Sequence, residues 1–298
     1  MLFKGILPAL MTPYDNMGGV CAERLNDHIG FLLGSNVNGL YICGVTGDSA
    51  QMNVDERKKV AEIAVAACKK HGRLSFVHVG SSSTRDSLLL AEHAASIGAD
   101  AISAMPIANT TPFQLKRYYE DIASVGLPLL IYYIPSLTHR PISLDELLSL
   151  IEVKNVFGLK FSDCDLFFMK RLLLAHPDTI IFNGNDEIFS YGVLNGAVGG
   201  IGMTYNVFPK LYIMMLDKLM NNEASSAMRL QNAVCRYIDY SISVGIKQAV
   251  EYTAGLRSAP FKCFRGPFCV ERLIDEQKEK LCALVDEIDE MIEIEGKN

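Results

Sequence analysis

Short apolar segments alternate with longer amphipathic segments along most of the chain. Each apolar segment is rich in β-branched or aromatic residues, which is typical of a strand buried on both faces of a parallel sheet. The pattern predicts strands at 6–10, 39–43, 74–79, 101–104, 128–133, 156–161, 179–183 and 197–202.

Helix signals lie between these segments. Asn53 is placed to cap a helix with an acidic first turn, and Ser143 with Glu146 matches the capping-box pattern. Gly98 and Gly126 are placed to end two helices just before the next strand.

Unbroken strand–helix alternation predicts a parallel sheet, and eight units predict a closed (β/α)8 TIM barrel with its active site at the carboxyl ends of the strands. The alternative, an open doubly wound sheet, lacks support because no G-x-G-x-x-G spacing occurs in a first βα turn. Beyond the eighth strand, helices are predicted at 206–220, 223–241, 245–256 and 271–294. We therefore predict a barrel over 1–220 and a C-terminal three-helix extension over 221–298, both in one structural unit.

Composition and charge narrow the functional class. Hydrophobic residues make up 49% and charged residues 21% of the 298 residues, as in ordinary globular proteins. A net charge of −6 argues against a nucleic-acid partner, and no apolar run is long enough for a membrane span. The N-terminus lacks the long apolar stretch of a signal peptide, so a cytoplasmic location is expected. The eight cysteines are scattered and are interpreted as small buried hydrophobes, with no metal site expected.

Lys160 is the most unusual residue of the predicted strands, because it interrupts an apolar segment. Burial would lower its pKa and leave a free amine at neutral pH, and such an amine attacks ketones to form a Schiff base. Alternatively, the side chain extends to the end of the strand and pairs with Asp163. Position alone leaves both interpretations open.

Two other strand ends could contribute to such chemistry. Tyr132 could carry a proton near the lysine, although aromatic core packing fits at least one of Tyr132 and Tyr133. Gly-Val-Thr-Gly-Asp at 44–48 could aim backbone N–H groups at a carboxylate, or could be an ordinary turn between a strand and a helix.

Six motifs occur in order along the whole chain. They are Leu-Pro-Ala-Leu-x-Thr-Pro at 7–13, Gly-x-Thr-Gly-Asp at 44–48, Tyr-x-Ile-Pro at 132–135, Gly-Leu-Lys-Phe-Ser-Asp at 158–163, Gly-x-Asp-Glu at 184–187 and Gly-Gly-Ile-Gly-x-Thr-Tyr-Asn at 199–206. Together they resemble the dihydrodipicolinate synthase / N-acetylneuraminate lyase superfamily of Schiff-base (class I) aldolases.

The resemblance implies specific roles. Lys160 would form the imine with pyruvate, and Tyr132 would move the proton to and from the aldol hydroxyl. The backbone amides of Thr46 and Gly47, with the Thr46 hydroxyl, would hold the pyruvate carboxylate. The resemblance also implies a metal-independent reaction with no cofactor beyond the imine, small-molecule partners (pyruvate and a sugar aldehyde) and a homotetramer.

The sugar-binding side resembles the sialic-acid lyase branch. Leu137 stands where the synthase branch has an arginine for a second substrate's carboxylate. In the lyase branch, Ser162, Gly184, Asp186 and Glu187 would contact a polyhydroxylated chain. The two carboxylates could also stabilise a helix N-terminus, and the two roles can coexist.

Four features depart from the family pattern. Val45 replaces a serine or threonine whose hydroxyl joins the catalytic tyrosine in a proton relay, and Met203 replaces a serine that often touches the substrate. The segment 106–112 contains no tyrosine to lend across a subunit interface, and His139 stands in place of a glycine. We therefore expect intact imine chemistry with an altered relay and an altered aldehyde-side pocket.

The sequence thus predicts an aldolase of the sialic-acid lyase type, which cleaves a sugar acid to pyruvate and N-acetylmannosamine or runs in reverse. One alternative is a 2-keto-3-deoxy sugar acid aldolase, if Met203 makes the pocket smaller or more apolar. Dihydrodipicolinate synthase is disfavoured by Leu137. A non-catalytic protein that binds pyruvate or a sugar acid is the remaining alternative, motivated by Val45.

Overall fold

Eight parallel strands form the centre of the molecule, for which a computed structural model describes residues 3–138, 141–266 and 272–297. The strands are β1 (Gly5–Ile6), β2 (Gly39–Ile42), β3 (Leu74–His78), β4 (Ala101–Ala104), β5 (Leu129–Tyr133), β6 (Val156–Phe161), β7 (Ile180–Asn183) and β8 (Gly199–Gly200). They pair in the order β1-β8-β7-β6-β5-β4-β3-β2. Two backbone hydrogen bonds of 2.9 Å, from Leu10 N to Tyr41 O and from Tyr41 N to Pro8 O, join the two ends of this order. The predicted (β/α)8 barrel is confirmed.

Helices surround the barrel and continue beyond it. They are α1 (Ala22–Gly34), α2 (Val54–His71), α3 (Thr84–Ser96), α4 (Pro112–Ala123), α5 (Pro135–Thr138), α6 (Leu144–Ile151), α7 (Leu166–Ala175), α8 (Phe189–Asn195), α9 (Pro209–Met220), α10 (Ala224–Val244), α11 (Ile246–Arg257) and α12 (Asp275–Glu295). The C-terminal helices α10 to α12 match the three that the sequence predicts. His139, singled out above, lies outside the described residues.

The residues predicted to cap helix ends do so in the structure. The Asn53 side chain accepts a hydrogen bond of 2.9 Å from Glu56 N, and the Glu56 carboxylate accepts one of 3.0 Å from Asn53 N. Ser143 Oγ caps α6 by accepting from the backbone N–H of residue 146. Gly98, at φ +70°, and Gly126, at φ +91°, follow α3 and α4 in left-handed backbone conformations. These caps fix where each helix returns the chain to the barrel.

The first and last strands are shorter than predicted. Pro8 has no N–H to donate to a ladder, so regular pairing on β1 ends at Ile6. Isolated bonds continue the contact, such as Leu7 N to Gly200 O at 3.0 Å and Ala9 N to Gly202 O at 2.9 Å. The barrel therefore closes through irregular backbone.

Two hydrophobic clusters stabilise the molecule. The smaller fills the barrel interior and comprises Leu7, Ala9, Tyr41, Phe76, Ala101, Leu130, Tyr132, Phe182 and Ile201. The larger lies between the strands and the helices, and includes Leu230 and Tyr237 of α10 and Leu284 of α12. Because the extension contributes to this cluster, it packs on the barrel rather than standing apart from it.

Cys269 lies outside the described residues, and the other seven cysteines only partly match their interpretation as buried hydrophobes. Cys43, Cys68 and Cys263 are buried, but Cys164 is exposed, because it follows β6 in the loop at the mouth of the barrel.

Over the described ranges, no group of three or more His, Cys, Asp or Glu side chains could hold a metal ion. Within those ranges, too, no helix combines the length and apolar character needed to cross a bilayer.

Candidate active site

A cavity of about 330 Å³ opens at the carboxyl ends of the strands. Nine of the ten predicted site residues line it, namely Val45, Thr46, Tyr132, Lys160, Ser162, Gly184, Asp186, Glu187 and Met203. The tenth, Gly47, lies in the turn after β2 without lining the cavity. The motifs that are distant in sequence therefore converge on one site.

Lys160 projects into the barrel from β6. Its strand register places it between Tyr132 of β5 and Phe182 of β7, and only 4% of its surface is exposed. Burial lowers the pKa of Lys160 to about 7, although the Asp186 carboxylate partly offsets this effect. A large fraction of the side chain is therefore a free amine at neutral pH. Its charged neighbour in the site is Asp186, rather than the Asp163 considered from the sequence.

Two aromatic rings hold the amine of Lys160. Its Nζ lies 4.1 Å from the ring centre of Tyr132 and 4.6 Å from that of Tyr41. The Tyr41 hydroxyl shares a hydrogen bond of 3.0 Å with Ser103 Oγ, which fixes that ring. Sequence reasoning missed Tyr41, although a tyrosine in an apolar strand could have marked it.

The two tyrosines at the end of β5 have different surroundings. Burial raises the pKa of the Tyr132 phenol above its usual value, so the phenol is protonated at neutral pH. Tyr133 points to the other side of the strand and stacks on Phe161, with ring centres 5.1 Å apart. Core packing therefore accounts for Tyr133, and Tyr132 is available to the cavity.

The turn at 44–48 presents Thr46 to the cavity. The Gly47 N–H donates to the Gly44 carbonyl at 3.1 Å, and Thr12 Oγ1 donates to the Gly47 carbonyl at 2.8 Å. A Cβ atom at Gly47 would lie 2.8 Å from the Leu10 carbonyl oxygen, so this turn requires glycine. The Gly47 N–H already donates to the Gly44 carbonyl, so it can bind a carboxylate only by sharing its hydrogen between two acceptors. Thr46 is therefore the better donor to a carboxylate.

Ser162 supplies a hydroxyl two residues beyond Lys160, on the same side of the chain. Its Oγ is buried, and a hydrogen bond with Ser162 partly offsets the rise that burial causes in the pKa of the Tyr132 phenol. A Cβ atom at Gly184 would lie only 1.9 Å from this oxygen, so the hydroxyl occupies space that only glycine leaves open. A hydroxyl has one donor and two acceptor sites, so a buried hydroxyl that faces a cavity beside one partner can still bind a ligand hydroxyl.

Asp186 has one paired and one unpaired oxygen. Oδ2 accepts two hydrogen bonds of 2.7 Å, from the N–H and the hydroxyl of Thr204. Oδ1 is buried without a partner in the described part of the chain. Burial raises the pKa of Asp186 to about 6. Glu187 is exposed at the mouth, so the Asp-Glu pair provides one deep acceptor and one outer acceptor.

The extension contributes residues that sequence reasoning missed. Ile238, Ile242 and Ile246 line the cavity. Gln231 Nε2 donates to the carbonyl oxygens of residues 186 and 187, both at 3.1 Å, and its Oε1 accepts from Ser190 N at 2.8 Å. The available signal was a glutamine within the buried face of a predicted helix.

These groups define the chemical class of the site. An amine that is free at neutral pH forms an imine with a ketone, and the iminium accepts the electron pair of a breaking carbon–carbon bond. Placed at the carboxyl face of a (β/α)8 barrel, this chemistry is that of a carbon–carbon lyase of the class I aldolase type.

Comparison with known protein families supports this chemical class. Residues 2–288 match the model of the Dihydrodipicolinate synthetase family, and the chain belongs to that family.

Individual relatives are similar over most of their length. N-acetylneuraminate lyase 2 of Escherichia coli O6:H1 is 36% identical over 279 residues, covering 89% of this chain and 88% of the relative. N-acetylneuraminate lyase of Salmonella paratyphi B is 35% identical over 249 residues, covering 82% and 83%.

Solved structures give the same picture. CdNal of Clostridium difficile, in complex with mannosamine, superposes with a TM-score of 0.90 at 28% identity, covering 97% of this chain and 100% of that chain. Wild-type sialic acid aldolase of Ruminococcus gnavus superposes with a TM-score of 0.89 at 27% identity, covering 99% and 98%.

Proposed function

We propose that the protein is a pyruvate-dependent class I aldolase of the N-acetylneuraminate lyase type. It cleaves a sugar acid to pyruvate and an N-acylated amino sugar, or joins the two. The observation that carries the proposal is Lys160, which is buried with a pKa of about 7 between two tyrosine rings. The names of the two bacterial relatives support the choice of substrate.

Cleavage begins when the Lys160 amine attacks the keto carbon and water leaves, forming an iminium. The β-hydroxyl gives its proton to the Tyr132 oxygen in its phenolate form, and the bond between the α and β carbons breaks. Its electron pair moves to the iminium carbon–nitrogen system to give an enamine, and the aldehyde departs. Protonation of the enamine and addition of water then release pyruvate and restore the amine. The iminium is the electron sink, so we propose that no metal or further cofactor is required.

The protonation state of Tyr132 suits the synthetic direction. Its raised pKa favours the phenol, which donates a proton to the alkoxide that forms when the enamine attacks an aldehyde. Cleavage uses the same proton path in reverse. Val45 adds no hydroxyl to this path, and Ser162 supplies a hydroxyl that hydrogen-bonds with Tyr132 instead.

The remaining polar groups divide between the two halves of the substrate. Thr46 is placed to bind the carboxylate beside the imine. Ser162 Oγ, which also interacts with the Tyr132 phenol, and Asp186 Oδ1, which is buried without a partner within the described residues, are placed to bind hydroxyls of the sugar chain. Glu187 can reach the outer end of that chain.

Two observations bear on the alternatives. Leu137 is 45% exposed and does not line the cavity. It therefore does not bind the carboxylate of the second substrate that a dihydrodipicolinate synthase uses. Met203 does line the cavity, which keeps a 2-keto-3-deoxy sugar acid aldolase as the second candidate. Turnover with unacylated aldehydes in preference to acylated ones would favour that candidate.

Borohydride trapping tests the imine. The protein is incubated with pyruvate and sodium borohydride, digested and analysed by mass spectrometry. We expect one pyruvate-derived modification on the peptide that contains Lys160, and none in Lys160→Met. The exposed Lys154 is the matched control, because its replacement by methionine should leave the adduct in place. Failure to modify Lys160 would contradict the proposed function.

The proposal includes a homotetramer and a cytoplasmic location. The tetramer rests on family membership. Sedimentation velocity of the purified protein would test the tetramer, and a monomer at micromolar concentration would remove it from the proposal.

A further inference from the structure

The cavity is lined by two chemically different sets of side chains. The first set includes Ser162 and Asp186, which bring oxygen atoms to it. The second set is apolar and includes Val45, Met203, Ile238, Ile242 and Ile246, which are called the apolar wall below. A ligand that is hydroxylated on all sides would match only the first set.

The apolar wall is accessible and belongs largely to the extension. Ile238 and Ile242 lie one turn apart on α10, and Gly245, at φ +97°, turns the chain so that Ile246 begins α11 beside them. Ile238 is anchored, with 6% of its surface exposed, whereas Ile242 is 65% exposed. Val45 reaches the cavity from the turn after β2 and is 40% exposed. Covering these side chains removes apolar surface from water, which favours binding of an apolar group.

We propose that this apolar wall selects an aldehyde that carries an apolar substituent as well as hydroxyl groups. The acyl chain of an N-acylated amino sugar has this form, and acyl chains longer than acetyl should be preferred. The inference rests on the proposed function and makes it more specific, because it assigns the acyl side of the substrate to Val45, Met203 and the three isoleucines.

A series of aldehydes measures the preference. Synthesis from pyruvate is followed with mannose and with N-acetyl-, N-propanoyl- and N-butanoylmannosamine, and kcat/KM is determined for each. One fully covered methylene group corresponds to a factor of about four in binding. We therefore expect kcat/KM to rise about two- to fourfold for each added methylene group.

Ile242→Asn tests the wall itself. The substitution keeps the approximate size of an exposed side chain but removes its apolar surface, so it should flatten the ratio of N-butanoyl to N-acetyl substrate. Leu194→Asn is the matched control, because Leu194 is 58% exposed on α8 and does not line the cavity. This control should keep the wild-type ratio.

Val45→Thr tests the apolar wall from a different element, the turn after β2. This nearly isosteric change should flatten the ratio of N-butanoyl to N-acetyl substrate, as Ile242→Asn does.

The outcomes separate this inference from the proposed function. Absence of the borohydride adduct on Lys160 would contradict the proposed function itself. An intact adduct and turnover, with kcat/KM flat or falling as the acyl chain lengthens, would overturn only the inference. The inference would also be overturned if Ile242→Asn and Val45→Thr both kept the wild-type ratio of N-butanoyl to N-acetyl substrate. A changed sedimentation coefficient in Ile242→Asn would overturn it too. The latter result would mean that another copy of the chain covers Ile242.

Discussion

Burial, and not a counter-ion at the strand end, determines the pKa of the Lys160 amine. Removing the ammonium from water lowers its pKa to about 7, and the aromatic faces of Tyr41 and Tyr132 hold Nζ. The sequence could indicate this amine because a lysine interrupts an apolar strand. It could not decide between a buried amine and a pair with Asp163, because that choice depends on which side chains the neighbouring strands supply.

The pKa of Lys160 predicts how imine formation depends on pH. Only the unprotonated amine attacks a ketone, so the rate of adduct formation at low pyruvate concentration should rise with pH, reach half its maximum near pH 7 and level off above pH 8. Below pH 6 the rate should fall about tenfold for each pH unit. Borohydride trapping at short times, across a pH series, gives the profile.

Asp186→Asn tests whether the pKa of Lys160 determines the pH profile of imine formation. The Asp186 carboxylate raises the pKa of Lys160 against the larger effect of burial. Removing that charge should therefore move the midpoint to lower pH. A midpoint near pH 10 in the wild-type protein would contradict the buried, unpaired amine.

Among the helices, α10 has a second role beyond packing on the barrel. Its Gln231 satisfies three backbone groups of the segment 186–190, which carries Asp186. Helical periodicity could predict that this face of α10 is buried. It could not predict which segment the face meets, because that depends on how the extension returns across the mouth of the barrel. The strands were more predictable, since their apolar runs depend on local sequence.

Gln231→Leu should loosen the sugar-binding side of the site while sparing the imine. Loss of the amide leaves two carbonyl oxygens and one N–H without their buried partner, at a cost of about 1–3 kcal/mol in the free energy of unfolding. We expect the KM for the aldehyde to rise about tenfold, corresponding to about 1.4 kcal/mol of lost binding. The rate of pyruvate trapping on Lys160 should change much less.

Asn232→Leu is the control for this prediction, since Asn232 is the next residue of α10 and is exposed. It should affect neither the KM for the aldehyde nor the free energy of unfolding. Equal losses in pyruvate trapping and in aldehyde binding in Gln231→Leu would show a general structural role, and would contradict a positioning role for Gln231.

At the scale of the whole molecule, the fold was more predictable than the selectivity of the site. Eight alternating units and six ordered motifs indicate the barrel and place Lys160, Tyr132 and Thr46 at its carboxyl end. The apolar wall was not predicted, because Ile238, Ile242 and Ile246 follow the barrel in sequence and meet it only through tertiary packing. The proposed selectivity therefore depends on contacts between the barrel and the extension.

Burial of Lys160 should also lower the stability of the whole protein, and Lys160→Met should recover it. A pKa near 7 in the folded chain, against 10.5 as the ordinary value, corresponds at pH 7 to a penalty of roughly 4 kcal/mol. Denaturant unfolding should therefore show Lys160→Met to be more stable than the wild-type protein, with Lys154→Met unchanged. Between pH 7 and pH 10 the unfolded chain holds the lysine proton more often than the folded chain, so wild-type stability gains with rising pH from this group. The advantage of Lys160→Met should accordingly shrink across that range, and an advantage that stays constant would contradict burial of the ammonium as its cause.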